Sequence, residues 1–160
     1  MDLHLRSGKL SVPRRLGGIL LAMSLFSCAG TRPKDLGLHG TVLRPCPSSP
    51  NCVSSDAGDA SHRVEAFALA LPAPDAWRAA RAAVVALPRT VIVSETPDYL
   101  HAECASALFG FVDDLELHLR TSEGRIAVRS ASRLGHSDMG VNRRRVEGLR
   151  AALARQGAVR

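Results

Sequence analysis

Between Asp113 and Arg120 the chain alternates cleanly, with Leu115, Leu117 and Leu119 on one side and Glu116, His118 and Arg120 on the other. A period of two marks a strand with one face in a core. Thr121-Ser122-Glu123-Gly124 supplies a hairpin loop, and Arg125 to Arg133 returns with Ile126 and Val128 inward and Arg129 outward. Upstream, Thr90 to Glu95 is a β-branched run, expected at the centre of a sheet. Pro97-Asp98 turns the chain into Tyr99 to Leu108, which sets Leu100, Ala102, Cys104 and Leu108 against His101 and Glu103. His62 to Leu69 alternates more loosely, with Val64, Ala66 and Ala68 opposite Glu65, Phe67 and Leu69, and reads as a first strand.

Two segments show helical spacing instead. Trp77, Ala80, Val84 and Leu87 recur along residues 74–87, which Pro74 begins and Pro88 ends. Val146, Leu149 and Leu153 mark a second helix that stops near Gly157. The order is β-α-β-β-β-β-α. Short links between consecutive strands favour antiparallel pairing. The expected fold is therefore α+β, a two-layer sandwich with an antiparallel sheet of about five strands covered by two helices.

The first 45 residues fit neither period. Residues 1–15 are polar and basic, and Leu16 to Phe26 is an uncharged apolar run of 11 residues. A helix crossing about 30 Å of hydrocarbon needs roughly 20 residues, so the run suits the centre of an export signal. Leu25-Phe26-Ser27-Cys28-Ala29 resembles a bacterial lipobox, although Phe26 is bulkier than that motif usually carries. Residues 1–27 are thus expected to be a signal peptide and Cys28 the lipidated mature N-terminus, a membrane anchor. Ala29 rather than Asp after the Cys favours the outer over the inner membrane of the envelope. Residues 28–45 carry Gly, Pro and scattered charge and suit a flexible tether, with Val42 and Leu43 available to pack back. A single domain is expected over 46–157.

Composition narrows the function classes. Apolar residues at 46% and charged residues at 22% suit a packed core, while aromatics at 4% argue against a base-stacking nucleic-acid platform. Half of the +6 net charge lies in the first 27 residues, where Arg6, Lys9, Arg14 and Arg15 oppose Asp2. The remainder is an ordinary surface, so no nucleic-acid partner is expected. Export places the cysteines in an oxidising compartment. Cys46 and Cys52 flank Pro47-Ser48-Ser49-Pro50-Asn51, a turn-rich loop that a disulfide would close, stabilising the fold by about 2 kcal/mol. Cys104 is then a core thiol; a bond from either loop Cys to Cys104 is the alternative. Zinc knuckles space their cysteines more closely and need further ligands, and the six His are scattered. No metal or other cofactor is expected.

Two places break the usual rules. With the 121–124 loop setting register, Leu119 meets Ile126, Leu117 meets Val128, and Glu116 meets Arg129 on the solvent face. Further from the turn, Leu115 meets Ser130 and Asp113 meets Ser132, so the inner face turns polar at one end. Alternatively, a break in the pleat near Gly110 sends Asp113 to solvent beside Asp114. Arg143-Arg144-Arg145 fall at the start of the last helix, where cations are disfavoured. Asp138 or Asp113 could offset them, an anion could bind there, or the arginines could point apart into solvent. Ser130, Ser132, Arg133, His136, Ser137, Asp138, Asn142 and Arg143 make this the densest polar stretch in the chain.

Four segments carry a family resemblance. Cys46-Pro47-Ser48-Ser49-Pro50-Asn51-Cys52-Val53-Ser54-Ser55 resembles the opening motif of domain-of-unknown-function family 1499. Leu108-Phe109-Gly110-Phe111-Val112-Asp113-Asp114 and Val128-Arg129-Ser130-Ala131-Ser132-Arg133 resemble its middle, and Gly135 to Val146 its end. The resemblance implies a small exported or membrane-associated domain and no activity. The functional expectation is a non-catalytic envelope lipoprotein that binds a small anionic ligand, a lipid headgroup or a protein partner. Asp113, Ser130, Ser132, Arg133, His136, Asp138, Asn142 and Arg143 would form its site or polar network. A structural or assembly role is the alternative. A hydrolase with His136 or His101 as base and a serine nucleophile is the third reading, without triad spacing to support it.

Overall fold

The tight link at Thr121–Gly124 sets the register of the sheet. Thr121–Glu123 form one 3-10 turn, and Gly124 follows at φ 61°, a left-handed conformation that glycine adopts without steric cost. Across it Leu119 pairs with Ile126, Leu117 with Val128, Glu116 with Arg129, Leu115 with Ser130 and Asp113 with Ser132, the pairing expected from the loop. The structure, a computed structural model, describes residues 29–160. The expected signal peptide and lipidation site at Cys28 lie outside the described residues.

In chain order the elements are β1 (Leu38–His39), β2 (Val42–Leu43), β3 (Cys52–Ser54), β4 (Phe67–Ala68), α1 (Ala73–Val85), β5 (Thr90–Glu95), β6 (Tyr99–Ala105), β7 (Val112–Arg120), β8 (Arg125–Ser132) and α2 (Val141–Arg155). The main sheet is antiparallel and six-stranded, in the order β3-β8-β7-β6-β5, with β4 also on β8. The fold is α+β, with one strand more than the expected five. The extra one is β3, three residues inside the turn-rich cysteine motif and too short to show a period.

One face of the sheet carries Leu100, Ala102, Cys104, Leu115, Leu117, Ile126 and Val128, and α1 and α2 bury it with Ala80, Val84, Val146, Leu149 and Leu153. Each buried Leu, Ile or Val among them contributes about 1.5–3 kcal/mol. Two strand expectations shift. β5 is an edge strand, not central: Val91 is 66% exposed and the pairing slips between Ile92 and Ser94. A β-branched run fits any pleated, half-buried surface, so it marks a strand without fixing its place. In the expected strand 62–69 only Phe67 and Ala68 pair with β8. Phe67 is fully buried, with the Arg150 guanidinium 4.9 Å over its ring. Loop hydrogen bonds between Ser54 and both His62 and Val64 break the alternation there.

The outer face is not the solvent face that its polar residues suggested. Glu116 is wholly buried and Arg129 is 2% exposed. The stretch expected as a tether lies across them: Leu43 is buried, and Gly37 N–H donates to Glu116 Oε1 at 2.8 Å. A carboxylate and a guanidinium that pair with each other tolerate such covering, which the alternation of single residues does not reveal.

Candidate functional site

Polar groups collect where the C-terminal end of β8 meets the start of α2. Asp113 is buried and faces the helix layer, as register requires, and its Oδ2 accepts from Arg145 Nη2 at 2.6 Å. Arg145 Nη1 also reaches Ser130 Oγ and Asn142 Oδ1, at 2.9 and 2.6 Å. Asn142 is fully buried, accepts from Ser130 Oγ at 2.6 Å, and donates to Ser132 Oγ at 2.9 Å and to the Asn51 carbonyl at 3.1 Å. Asp138 accepts from the N–H groups of Gly140 and Asn142, at 2.9 and 2.7 Å. It thereby places a negative charge where three arginines and the helix dipole need one. The expected set of Asp113, Ser130, Ser132, Asp138 and Asn142 is therefore brought together.

Three members stand apart. Arg143 turns away to donate to the carbonyls of Ser61 and Arg63. His136 is exposed and makes no hydrogen bond among the described residues. Arg133 belongs to the outer face, where its Nε and Nη2 grip Asp114 at 2.9 and 2.7 Å and Nη2 meets Glu103 at 2.5 Å. Of the arginine triplet, the one that enters the network is Arg145, which sequence reasoning passed over. The signal was available: Arg145 lies three residues after Asn142 and four before Leu149, on the helix's inward stripe.

The outer-face network was missed because alternation assigned it to solvent. Glu116 accepts from Arg129 Nη1 at 2.9 Å, Tyr99 Oη at 2.8 Å and Gly37 N–H. Burial and the adjacent Glu116 charge push the Tyr99 phenol far above its ordinary value. His101 Nε2 lies 2.7 Å from Asp114 Oδ1. Burial alone would raise the Asp114 carboxyl, but the bonds from His101 and Arg133 outweigh it and hold it below the usual range. Arg32 and Arg133 act similarly on Glu103, against its own desolvation.

The family model described as a protein of unknown function, DUF1499, matches residues 42–153. The chain belongs to the DUF1499 family. No curated protein and no solved structure matches it. The segments that carry the DUF1499 resemblance supply much of the inner network and part of the outer one, whose Tyr99, His101, Glu103 and Glu116 lie outside them. The opening one forms β3 and the Cys46–Cys52 disulfide; the others supply Asp113, Asp114, Arg129, Ser130, Ser132, Arg133, Asp138, Asn142 and Arg145.

Several reactive-looking groups in this DUF1499 member are spoken for. Cys104 is a free thiol, but it is buried and desolvation raises its pKa. His62 Nδ1 bonds Asp59 and its Nε2 lies 3.1 Å from the Ser49 carbonyl, so the ring is fully engaged. His101, a candidate base, faces Asp114 and not a serine. At the end of the sheet, by contrast, apolar groups are open to solvent. Leu108 is 86% and Met139 87% exposed, with Phe109 and Phe111 close by each other at 5.7 Å between ring centres. Two cavities of about 340 and 400 Å³ meet here, sharing Ser106, Asp113 and Val141.

Proposed function

We propose that this DUF1499 protein is an exported, lipid-anchored envelope protein whose domain binds phospholipid at the membrane surface, without catalysis. The observation that carries the reading is where the chain enters the domain. Gly30, at φ 69°, packs so closely on Leu134 that a Cβ added there would lie 2.9 Å from Leu134 Cγ. Two peptide links join Gly30 to Cys28, a span of at most about 7–8 Å. An acyl anchor two residues before Gly30 would thus tether the domain within chain reach of Leu134.

Leu134, Phe111 and Val141 line one of the two joined cavities at the sheet's end. Leu108, Phe109 and Met139 stand exposed on the same two loops, and Met139 is held at φ 53°, a conformation that costs a non-glycine residue energy. Arg89 and Arg144 line the neighbouring cavity, suited to anionic headgroups. Anchor, apolar tip and basic flank would then all face one lipid surface, with the tip among the acyl chains.

The test uses the acylated full-length protein carrying Phe109→Trp, reconstituted in phosphatidylcholine–phosphatidylglycerol vesicles with brominated acyl chains. The introduced indole is expected to be quenched beyond the background from Trp77 in the parent protein, and Cys28→Ser is expected to abolish acyl incorporation. Quenching no greater than the parent's, or acylation surviving Cys28→Ser, would overturn the reading.

A further inference from the structure

A separate cavity of about 290 Å³ lies on the outer face of the sheet, under the N-terminal segment and the disulfide loop. Its lining holds three guanidinium groups, from Arg44, Arg129 and Arg133, and one carboxylate, Asp114. That carboxylate is already engaged. Oδ1 meets His101 Nε2 and Arg133 Nη2, both at 2.7 Å, and Oδ2 accepts from Arg133 Nε. Arg129 gives Nη1 to Glu116, but its Nε–H has no acceptor, the only buried side-chain nitrogen or oxygen so left among the described residues. A buried cationic donor without an acceptor is costly, and oxyanions are the ligands that guanidinium groups bind most strongly.

We propose that this cavity binds a phosphate-type oxyanion, with Arg129 Nε–H as the deep donor and the partly exposed Arg44 on the solvent side. Arg44 comes from the N-terminal segment and Arg129 and Arg133 from β8 and the residue just past it, and a tetrahedral anion offers acceptors in more directions than a planar carboxylate. Pro47, Ser49 and Asn51 form part of the wall, so the Cys46–Cys52 disulfide pins one side of the site. Arg44 and Arg129 line neither cavity at the sheet's end, so this site does not rest on the membrane reading.

The probes are inorganic phosphate and monomeric dihexanoyl-phosphatidylglycerol, titrated calorimetrically into the full-length protein in detergent at fixed ionic strength. Saturable binding is expected, at least about tenfold weaker in Arg44→Gln. Arg44 pairs with the exposed Asp35, so this variant is expected to keep the parent's cooperative unfolding. Binding of phosphate itself makes the natural ligand a free oxyanion; binding of the lipid alone makes it a headgroup. Arg129→Lys, which keeps a charge for Glu116 but lacks the Nε–H donor, is expected to weaken either one, and if it fails to fold Arg44→Gln decides alone. The proposal is overturned by no saturable binding of either probe, or by binding indifferent to Arg44→Gln. Lipid binding lost in Phe109→Ser but kept in Arg44→Gln would also overturn it, assigning the lipid to the apolar tip.

Discussion

Asn142 has no spare hydrogen-bonding capacity. Its carbonyl accepts twice and its amide donates twice, which is all that a carboxamide offers, and all four partners sit in the inner network. Asn142→Leu removes these four bonds and leaves the fully buried Ser130 hydroxyl without its acceptor, although Arg145 keeps Asp113 and the Asn51 carbonyl keeps Ser132 N–H. The expected loss is about 3 kcal/mol, read from the midpoint of urea unfolding, whereas Ser130→Ala loses about 1 kcal/mol. The Glu116–Arg129 pair carries a different liability. Arg129→Met leaves a wholly buried carboxylate with only Tyr99 and Gly37 as donors, at an expected cost of about 3–5 kcal/mol. Replacing Glu116 by Leu in the same chain is expected to recover part of that loss. A double-mutant cycle in which the two losses simply add would show that the pair is not coupled.

At the scale of elements, the start of α2 is held by a residue outside it. Gly140 opens the helix at φ 77° and brings no side chain, so Asp138 supplies both the acceptor for Asn142 N–H and the negative charge. Asp138→Ala is expected to lower stability by about 1 kcal/mol, and Asp138→Asn by less, in thermal unfolding at low salt. The long alternating strands, the hairpin register and both helices were legible in the sequence because each repeats a period over several turns or pairs. β3, of three residues, was not, since a period needs length to show, and of the expected strand 62–69 only the two residues of β4 pair. The polar residues that close the inner network were legible by register, which sent Asp113, Ser130 and Ser132 inward. Those of the outer face were hidden. Alternation says which side of a sheet a residue faces and says nothing of what else in the chain covers that side.

For the whole molecule, the covered outer face ties stability to pH. His118, on that face, has its pKa lowered by burial and then by the neighbouring Arg120, whose Nε donates to His118 Nδ1 at 3.2 Å. A folded pKa below the unfolded value means that the unfolded chain takes the proton first. Stability is therefore full at neutral pH and begins to fall as pH drops through about 6.5, until the folded imidazole itself is protonated. Asp114 and Glu103 are also held below their ordinary values despite burial. Their contribution is present above the unfolded carboxyl range, about pH 4, and is lost as pH falls through their depressed folded values. Two limbs of acid destabilisation follow, with His118 responsible for the upper one. In His118→Gln the amide oxygen can still accept from Arg120, but nothing titrates there. Urea unfolding midpoints measured between about pH 3 and 8 are expected to stay flat down to about pH 5 in this variant, while the lower limb is unchanged. An upper limb persisting in His118→Gln would assign it to another histidine. A lower limb surviving when Asp114→Asn and Glu103→Gln are combined would move the acid sensitivity off the carboxylates of this face.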